Sequence, residues 1–457
     1  VKRICTLLLL FLATPGCDTN GQACESNVDC YVGEQCVLQT CLPQDEGDAG
    51  SPAEDAGDVG DTDDVGDADD PRDTSDTEPP EDTGDTADRD ADADDQPPYP
   101  VEVSAGLEHT CALLSDATVW CWGSNSGLAL GQPQGTLRAL TPIKIDGLDG
   151  AVQVVAGIGQ TCARFEDGST KCLGDSLGGG LGDGTLQGSQ HPVDVLIEDV
   201  HQLGDASLHH CAIAGPDRTL YCWGNNDSGQ TGADDDPTLT PWPVADMNGI
   251  QRVAPGEEHT CALDSSDAVY CLGANDSNQR GVNPEGPITE APNIVEGFVP
   301  GNPVVELVAG GRHTCAREAD ATVRCWGDNG SGQLGLPADD PIAASLPVTL
   351  ETSVTLSGLA AGGDTTCGIS SEGHVYCWGA NELGNLGVGT TSAYTGPQRV
   401  LDLNDATSLS VGPGHSCALT ESDDIFCWGS NNSGQLGVDS RASALAPSLP
   451  VVATWRE

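Results

Sequence analysis

Beyond about residue 100 the chain alternates short apolar runs with turn-forming residues, on a plan that repeats. His109-Thr110-Cys111-Ala112-Leu113 leads through a turn at Ser115-Asp116-Ala117 into Val119-Trp120-Cys121-Trp122, after which Gly, Asn and Ser take over. Short β-branched and aromatic runs bounded by turn residues predict a β-hairpin. Pro142-Ile143-Lys144-Ile145 and Val152-Gln153-Val154-Val155 read as two further strands. Helical periodicity is almost absent. The hairpin returns seven times, marked by the cysteine pairs Cys111 with Cys121, Cys162 with Cys172, Cys211 with Cys222, Cys261 with Cys271, Cys315 with Cys325, Cys367 with Cys377 and Cys417 with Cys427. A period of about fifty residues is too long for a solenoid helix pair. Four short strands per copy and seven copies predict an all-β, seven-bladed β-propeller over residues 98–457.

The order of strands makes a prediction about closure. The repeats open on Val101-Glu102-Val103, a second-strand sequence, and the chain ends on Pro450-Val451-Val452-Ala453-Thr454-Trp455, which matches the first strands read at Pro142, Pro192 and Pro347. A composite closing blade follows, with the C-terminal strand paired beside the N-terminal hairpin so that no sheet edge stays open.

The cysteine pairs admit two chemistries. His-x-Cys with a second Cys ten residues on resembles a zinc half-site, but each hairpin supplies only three ligands and a propeller keeps equivalent positions on different blades apart. Residues equidistant from a short turn face each other across a hairpin, within disulfide reach at a non-hydrogen-bonded pair. Seven disulfides and no metal or cofactor are therefore expected. Repeat three has one extra residue, in Gly215-Pro216-Asp217-Arg218, which predicts a bulge or longer turn.

The pattern A-G-x-x-H-T-x-A-L followed by V-Y-x-W-G-x-N-x-x-G-Q-L-G resembles the repeat of the regulator of chromosome condensation family. It runs through Ala309-Gly310-Gly311-Arg312-His313-Thr314-Cys315-Ala316, Trp326-Gly327-Asp328-Asn329 and Gln333-Leu334-Gly335, and again from Gly412 to Gly437. The resemblance covers the chain from about Val101 and implies the same propeller. The family's namesake is a nucleotide-exchange factor for a small GTPase on chromatin. A net charge of −54 repels DNA, so nucleic acid is not an expected partner. A secreted bacterial propeller that inhibits β-lactamase through a loop face is similar in setting, which implies protein binding as a mode.

Before the repeats lie three segments of other character. Lys2-Arg3, the apolar run from Ile4 to Ala13 and Gly16-Cys17 read as a lipoprotein signal over residues 1–16, with Cys17 the lipid-bearing residue; Thr14 and Pro15 depart from the usual residues before that glycine. Residues 17–43 hold Cys24, Cys30, Cys36 and Cys41, too few residues to bury a core without disulfides, and Cys24–Cys36 with Cys30–Cys41 is the favoured one of three connectivities. Residues 44–97 are Asp-rich, opposed only by Arg72 and Arg89, and predict a disordered spacer. No EF-hand order occurs there. Together these place the propeller at a bacterial cell envelope, lipid-anchored at the outer membrane or cell surface and otherwise free of the membrane.

Within the repeats, Trp122, Trp223, Trp326, Trp378 and Trp428 occupy one position, filled by Leu173 and Leu272 in the other copies, as inter-blade packing tolerates. His109, His209, His259, His313 and His415 recur, with Gln160 and Thr365 standing in, so they are expected to make hydrogen bonds within the blade rather than to move protons. Gly429, Asn431, Gly434 and Gly437 suit turns with positive φ. The segments between Gly131 and Pro142, Gly232 and Pro241, Gly281 and Pro303, Gly335 and Pro347, and Gly387 and Pro397 vary while their flanks repeat, which makes them the candidate binding loops. Asp234, Asp235, Asp236, Trp242, Asp339 and Asp340 are their most distinctive residues. No catalytic motif is present, since Gly178-Gly179-Gly180-Leu181-Gly182 lacks the Lys and Ser/Thr of a phosphate loop. The expected function is a monomeric, non-catalytic platform for an extracellular or envelope protein; a polysaccharide is the alternative ligand, ahead of a hydrolase or an exchange-factor-like activity.

Overall fold

The computed structural model describes residues 34–37, 40–43 and 97–457, apart from 205–206, 283–290, 337–342, 448, 452–454 and 456–457. It divides into two units, Val1–Ala87 and Asp88–Glu457. In the first, β1 (Glu34–Val37) and β2 (Thr40–Pro43) form an antiparallel hairpin with Cys36 opposite Cys41. The signal segment, Cys17, Cys24, Cys30 and the acidic spacer lie outside the described residues, and so do the disulfides expected there.

The second unit is a ring of seven sheets. In the first blade β3 (Pro100–Ala105), β4 (His109–Leu114), β5 (Val119–Ser124) and β6 (Arg138–Lys144) pair in sequence order, β3 innermost. Every residue of β4 and β5 is buried, whereas β6 is half-buried throughout. The two middle strands are covered on both faces by neighbouring blades, which is why they read as continuous apolar runs rather than as an alternation. Each outermost strand has an open edge. Pro142, Pro192, Pro241, Pro347 and Pro397 stand in these strands, where the missing N–H weakens the edge as a template for another chain.

All seven hairpin cysteine pairs are disulfides between directly opposed residues of the two middle strands. Cys111 bonds Cys121, Cys162 bonds Cys172, Cys211 bonds Cys222, Cys261 bonds Cys271, Cys315 bonds Cys325, Cys367 bonds Cys377 and Cys417 bonds Cys427, with Cα atoms 4.0 to 4.1 Å apart. No bond joins one repeat to another among these seven, as the hairpin reading requires. The third hairpin accommodates its extra residue in a longer turn, Ala214 pairing with Thr219 around Gly215–Arg218.

The apolar core is not central but divided into wedges, one between each pair of adjacent blades. Leu113, Val119, Leu130 and Ile145 of the first blade, for example, pack on Val154, Ala163 and Leu173 of the second. The last wedge joins the first and seventh blades. Val103, Leu114 and Trp122 meet Leu419, Ile425 and Leu436, with Val451 and Trp455 packed against them.

Closure therefore differs from the sequence expectation. The proline-bearing runs are the outermost strands of the preceding repeat, as the pairing of Ile143 with Cys121 shows, not the first strands of the next. The first blade draws all four strands from residues 100–144, and the C-terminal segment bridges its own repeat through Phe426 with Pro450 and Gly429 with Ala444. Among the described residues no blade is composite. The ring closes without a shared sheet, the indole rings of Trp120 and Trp455 meeting edge to face at 5.9 Å and Asp439 N donating to the Leu140 carbonyl. Removing residues 444–457 should lower the apparent Tm by at least about 5 °C, because the closing wedge loses a Trp and the last blade its outer cover. A calorimetric scan unchanged by that truncation would refute this account of closure.

Candidate functional site

Five of the seven pairs of adjacent blades are tied by a histidine–threonine relay that the repeat motif encodes. His109 Nε2 lies 3.0 Å from Thr161 Oγ1, His209 2.6 Å from Thr260, and His259, His313 and His415 each 2.8 Å from Thr314, Thr366 and Thr110. These bonds cross between blades, which corrects the expectation of bonds within one. The threonine hydroxyls of Thr110, Thr260 and Thr366 spend their single proton on the carbonyls of Gln435, Gln230 and Gln333, so the ring Nε2–H must be the donor. Buried Trp122, Trp326 and Trp378 donate Nε1–H to the carbonyls of Gln435, Gln279 and Gln333 of the preceding blade. The tautomer leaves Nδ1 of His209, His259, His313 and His415 buried without a partner. Burial holds His109, His210 and His259 down at about 4 and His209, His313 and His415 at about 3. These rings are neutral struts, unavailable for proton transfer. The preceding glycine is obligatory, since a side chain at Gly256 or Gly310 would run into the ring of His259 or His313.

Both relay positions change together between the sixth and seventh blades, to Thr365 and Ser416, and between the second and third. At the latter Gln160 replaces the histidine and His210 the threonine, and the His210 ring stacks on Trp223 with centroids 5.6 Å apart.

Antiparallel pairing sends two sets of connections to one end of the ring: the turns from innermost to second strand, and the loops from third to outermost strand. The turns encircle the mouth of an axial cavity of about 300 Å³, walled by the innermost strands and largely by Val, Ala, Ser and Gly. Side chains stitch these innermost strands together: Ser104 accepts from Ala156 N, Glu102 from Val154 N and Glu306 from Leu359 N. The loops are held from inside. Asn431, expected at a positive φ, instead accepts from Leu436 N and donates to the carbonyls of Ser440 and Ala442, while Gly429, Gly434 and Gly437 do take positive φ.

The turns differ in chemistry around the mouth. On the first three blades they present Leu107, Ile158 and Leu208 beside Glu108 and Asp175, around a cleft of about 210 Å³. On the fourth to sixth they present Glu257, Arg312 and Asp364, which with Asp328 and Glu382 line a basin of about 500 Å³. Burial, then the charge of Asp364, raises the Glu257 carboxyl, and Arg312 partly offsets this. Burial, then Asp328, raises Asp364. Arg312 Nη1 lies 4.0 Å from Asp276. Among the described residues no group of three or more His, Cys, Asp and Glu is placed to hold a metal.

The residues singled out in the sequence are dispersed. Asp234, Asp235 and Asp236 are exposed in a loop of this end, and part of their work is internal, Asn226 donating to Asp236 Oδ1 and to the Asp235 carbonyl. Trp242 is not in a loop. It stands opposite Cys222 in the outermost strand Thr238–Pro243, 45% exposed on the rim. Asp339 and Asp340 lie outside the described residues. What sequence reading missed are the two positions between Gly and His of A-G-x-x-H, which vary while their flanks repeat; the criterion applied to the long loops would have found them.

Models of the regulator of chromosome condensation (RCC1) repeat match residues 101–127, 304–333, 357–385 and 406–435 and, in a second form, 116–164 and 372–419. The ultraviolet-B receptor UVR8 of Arabidopsis thaliana is 28% identical over 68% of this chain and 72% of its own length. Protein pim1 of Schizosaccharomyces pombe is 27% identical over 63% of this chain and 60% of its own. The probable E3 ubiquitin-protein ligase HERC6 of Homo sapiens is 27% identical over 62% of this chain, which spans only 27% of that relative. Among solved structures, Prp20p from Saccharomyces cerevisiae superposes with a TM-score of 0.64 at 23% identity, covering 70% of this chain and 83% of that one. Human WBSCR16 also reaches 0.64, at 22% identity, covering 74% and 93%. The chain is thus a disulfide-stapled, seven-bladed β-propeller that carries regulator of chromosome condensation repeats over the matched residues.

Proposed function

We propose that this propeller is a non-catalytic, protein-binding platform displayed at a bacterial cell envelope. The observation that carries the reading is the contrast at the mouth of the ring. A frame locked by disulfides, wedges and relays presents seven turns whose chemistry changes from apolar to acidic, and binding resides on connections held by a rigid scaffold. The five recurrent histidines are held neutral by burial and committed to threonines of the next blade. A glycan platform needs exposed aromatic faces, whereas six of the eight Trp are buried. The fold supports the same direction: Prp20p is described with its binding to Gsp1p and histones, and in complex with Kap60. The envelope setting rests on the signal-like start, the cysteine pairs and the acidic spacer.

The full chain, expressed with its N-terminal segment and cross-linked on intact cells, is expected to capture a discrete envelope protein and to fractionate with membranes through Cys17. Cys17→Ala should release it from the membrane fraction. Binding on a glycan array with no protein cross-link would overturn the platform reading.

A further inference from the structure

The apolar and charged turns are segregated around the mouth. Leu107 and Leu208 keep 38% and 39% of their surface exposed, with Ile158 half-buried between them, on three consecutive blades. They share one cleft, whose flanks carry the Glu108 and Asp175 carboxylates. On the turns of the fourth and sixth blades Glu257 and Asp364 line the neighbouring basin, with Arg312 of the fifth their cationic neighbour there. Exposed aliphatic side chains that converge on a concavity gain about 25 cal/mol for each Å² that a partner covers. Their surroundings decide which partner. The chain's own acidic spacer and a second copy of a protein of net charge −54 are both repelled by these carboxylates.

We infer that the cleft of Leu107, Ile158 and Leu208 is an anchor pocket for a basic protein segment, one aliphatic or aromatic side chain entering the cleft while flanking lysines or arginines face Glu108 and the carboxylates across the mouth. This assignment rests on the protein-binding reading and names the class of partner. The fluorescein-labelled peptide Lys-Ala-Lys-Leu-Lys-Ala-Lys, its counterpart with serine at the centre, and Glu-Ala-Glu-Leu-Glu-Ala-Glu are titrated with the full chain at low salt and read by anisotropy.

The basic leucine peptide should bind roughly tenfold tighter than the basic serine peptide, and the acidic peptide not measurably. The double variant Leu107→Ser with Leu208→Ser should abolish the preference for leucine. Leu107→Asp with Leu208→Asp should abolish it too while tightening the serine peptide, since the added carboxylates attract lysine. Circular dichroism identifies a variant that has lost its fold, in which case the single Leu107→Ser protein gives the reading. Equal affinity of the native protein for the two basic peptides, or a preference that survives both double variants, overturns the pocket. Cross-linking on cells separates this from the platform reading. A captured protein indifferent to the serine variant removes the pocket and leaves the platform, whereas leucine selectivity without any captured protein removes the platform and leaves the pocket.

Discussion

Below about pH 6 the propeller should lose stability steeply, with a cooperative loss of its β-sheet signal centred near about pH 5. Six buried histidines, His109, His209, His210, His259, His313 and His415, hold folded pKa values of about 3 or about 4 against 6.5 for an unperturbed ring. The sign follows from the direction. Between these limits the unfolded chain binds protons that the folded ring refuses, so the histidine contribution is complete above pH 6.5 and drains away as pH falls toward 4. Each such ring costs about 1.4 kcal/mol per pH unit in that window, and six together cost on the order of 8. Glu257, Asp364 and Asp236, whose carboxyls are raised, act in the opposite direction but are three against six. Potentiometric titration of unfolding at pH 5 should find an uptake approaching six protons. His313→Gln, which places at this relay the residue already present at position 160, should reduce the uptake by about one. A propeller as resistant to denaturant at pH 4.5 as at pH 7.5 would show that these rings are not the neutral struts described above.

Removing one staple is expected to cost about 3 kcal/mol. Each disulfide closes a hairpin of ten or eleven residues' separation, for which the chain-entropy relation gives about that amount. Cys315→Ala with Cys325→Ala should therefore lower the unfolding free energy, read by denaturant titration, by at least this much, since both sulfurs are fully buried and alanine leaves unfilled space. The seven loops are separate and local, so the losses should add, and the fully reduced chain should not hold the ring under native conditions. The same burial predicts kinetic protection: millimolar dithiothreitol should leave the bonds intact at neutral pH and cleave them once guanidinium opens the blades. Mass spectrometry after alkylation reads both outcomes. Free thiols in the native protein at early times would contradict the placement of these pairs in the middle strands.

The two predictions address different parts of one design. The disulfides act within a blade, the histidine relay between blades. Neither depends on a helix, a metal or a central core. The ring holds because each wedge is filled from both sides, and the outer end of the chain completes the last wedge with Val451 and Trp455 rather than by lending a strand to the first blade.

The amino-acid sequence by itself determined the blade. Cysteines ten apart, such as Cys162 and Cys172 or Cys367 and Cys377, apolar runs of strand length and glycines at fixed positions are local signals, because hairpin pairing and turn geometry depend on residues near one another in the chain. For the same reason the number of repeats, the disulfide partners and the longer turn after Ala214 were legible in advance. What only the tertiary structure decided was every relation between blades. A proline-bearing run carries no mark saying whether it closes one sheet or opens the next. A buried histidine gives no sign that its partner is a threonine some fifty residues away. Leu107, Ile158 and Leu208 look like isolated apolar residues until ring closure sets them around one cleft. Contacts of this kind are fixed by packing across large sequence separations, where side-chain shape and the filling of shared space decide the outcome and no short-range periodicity records it.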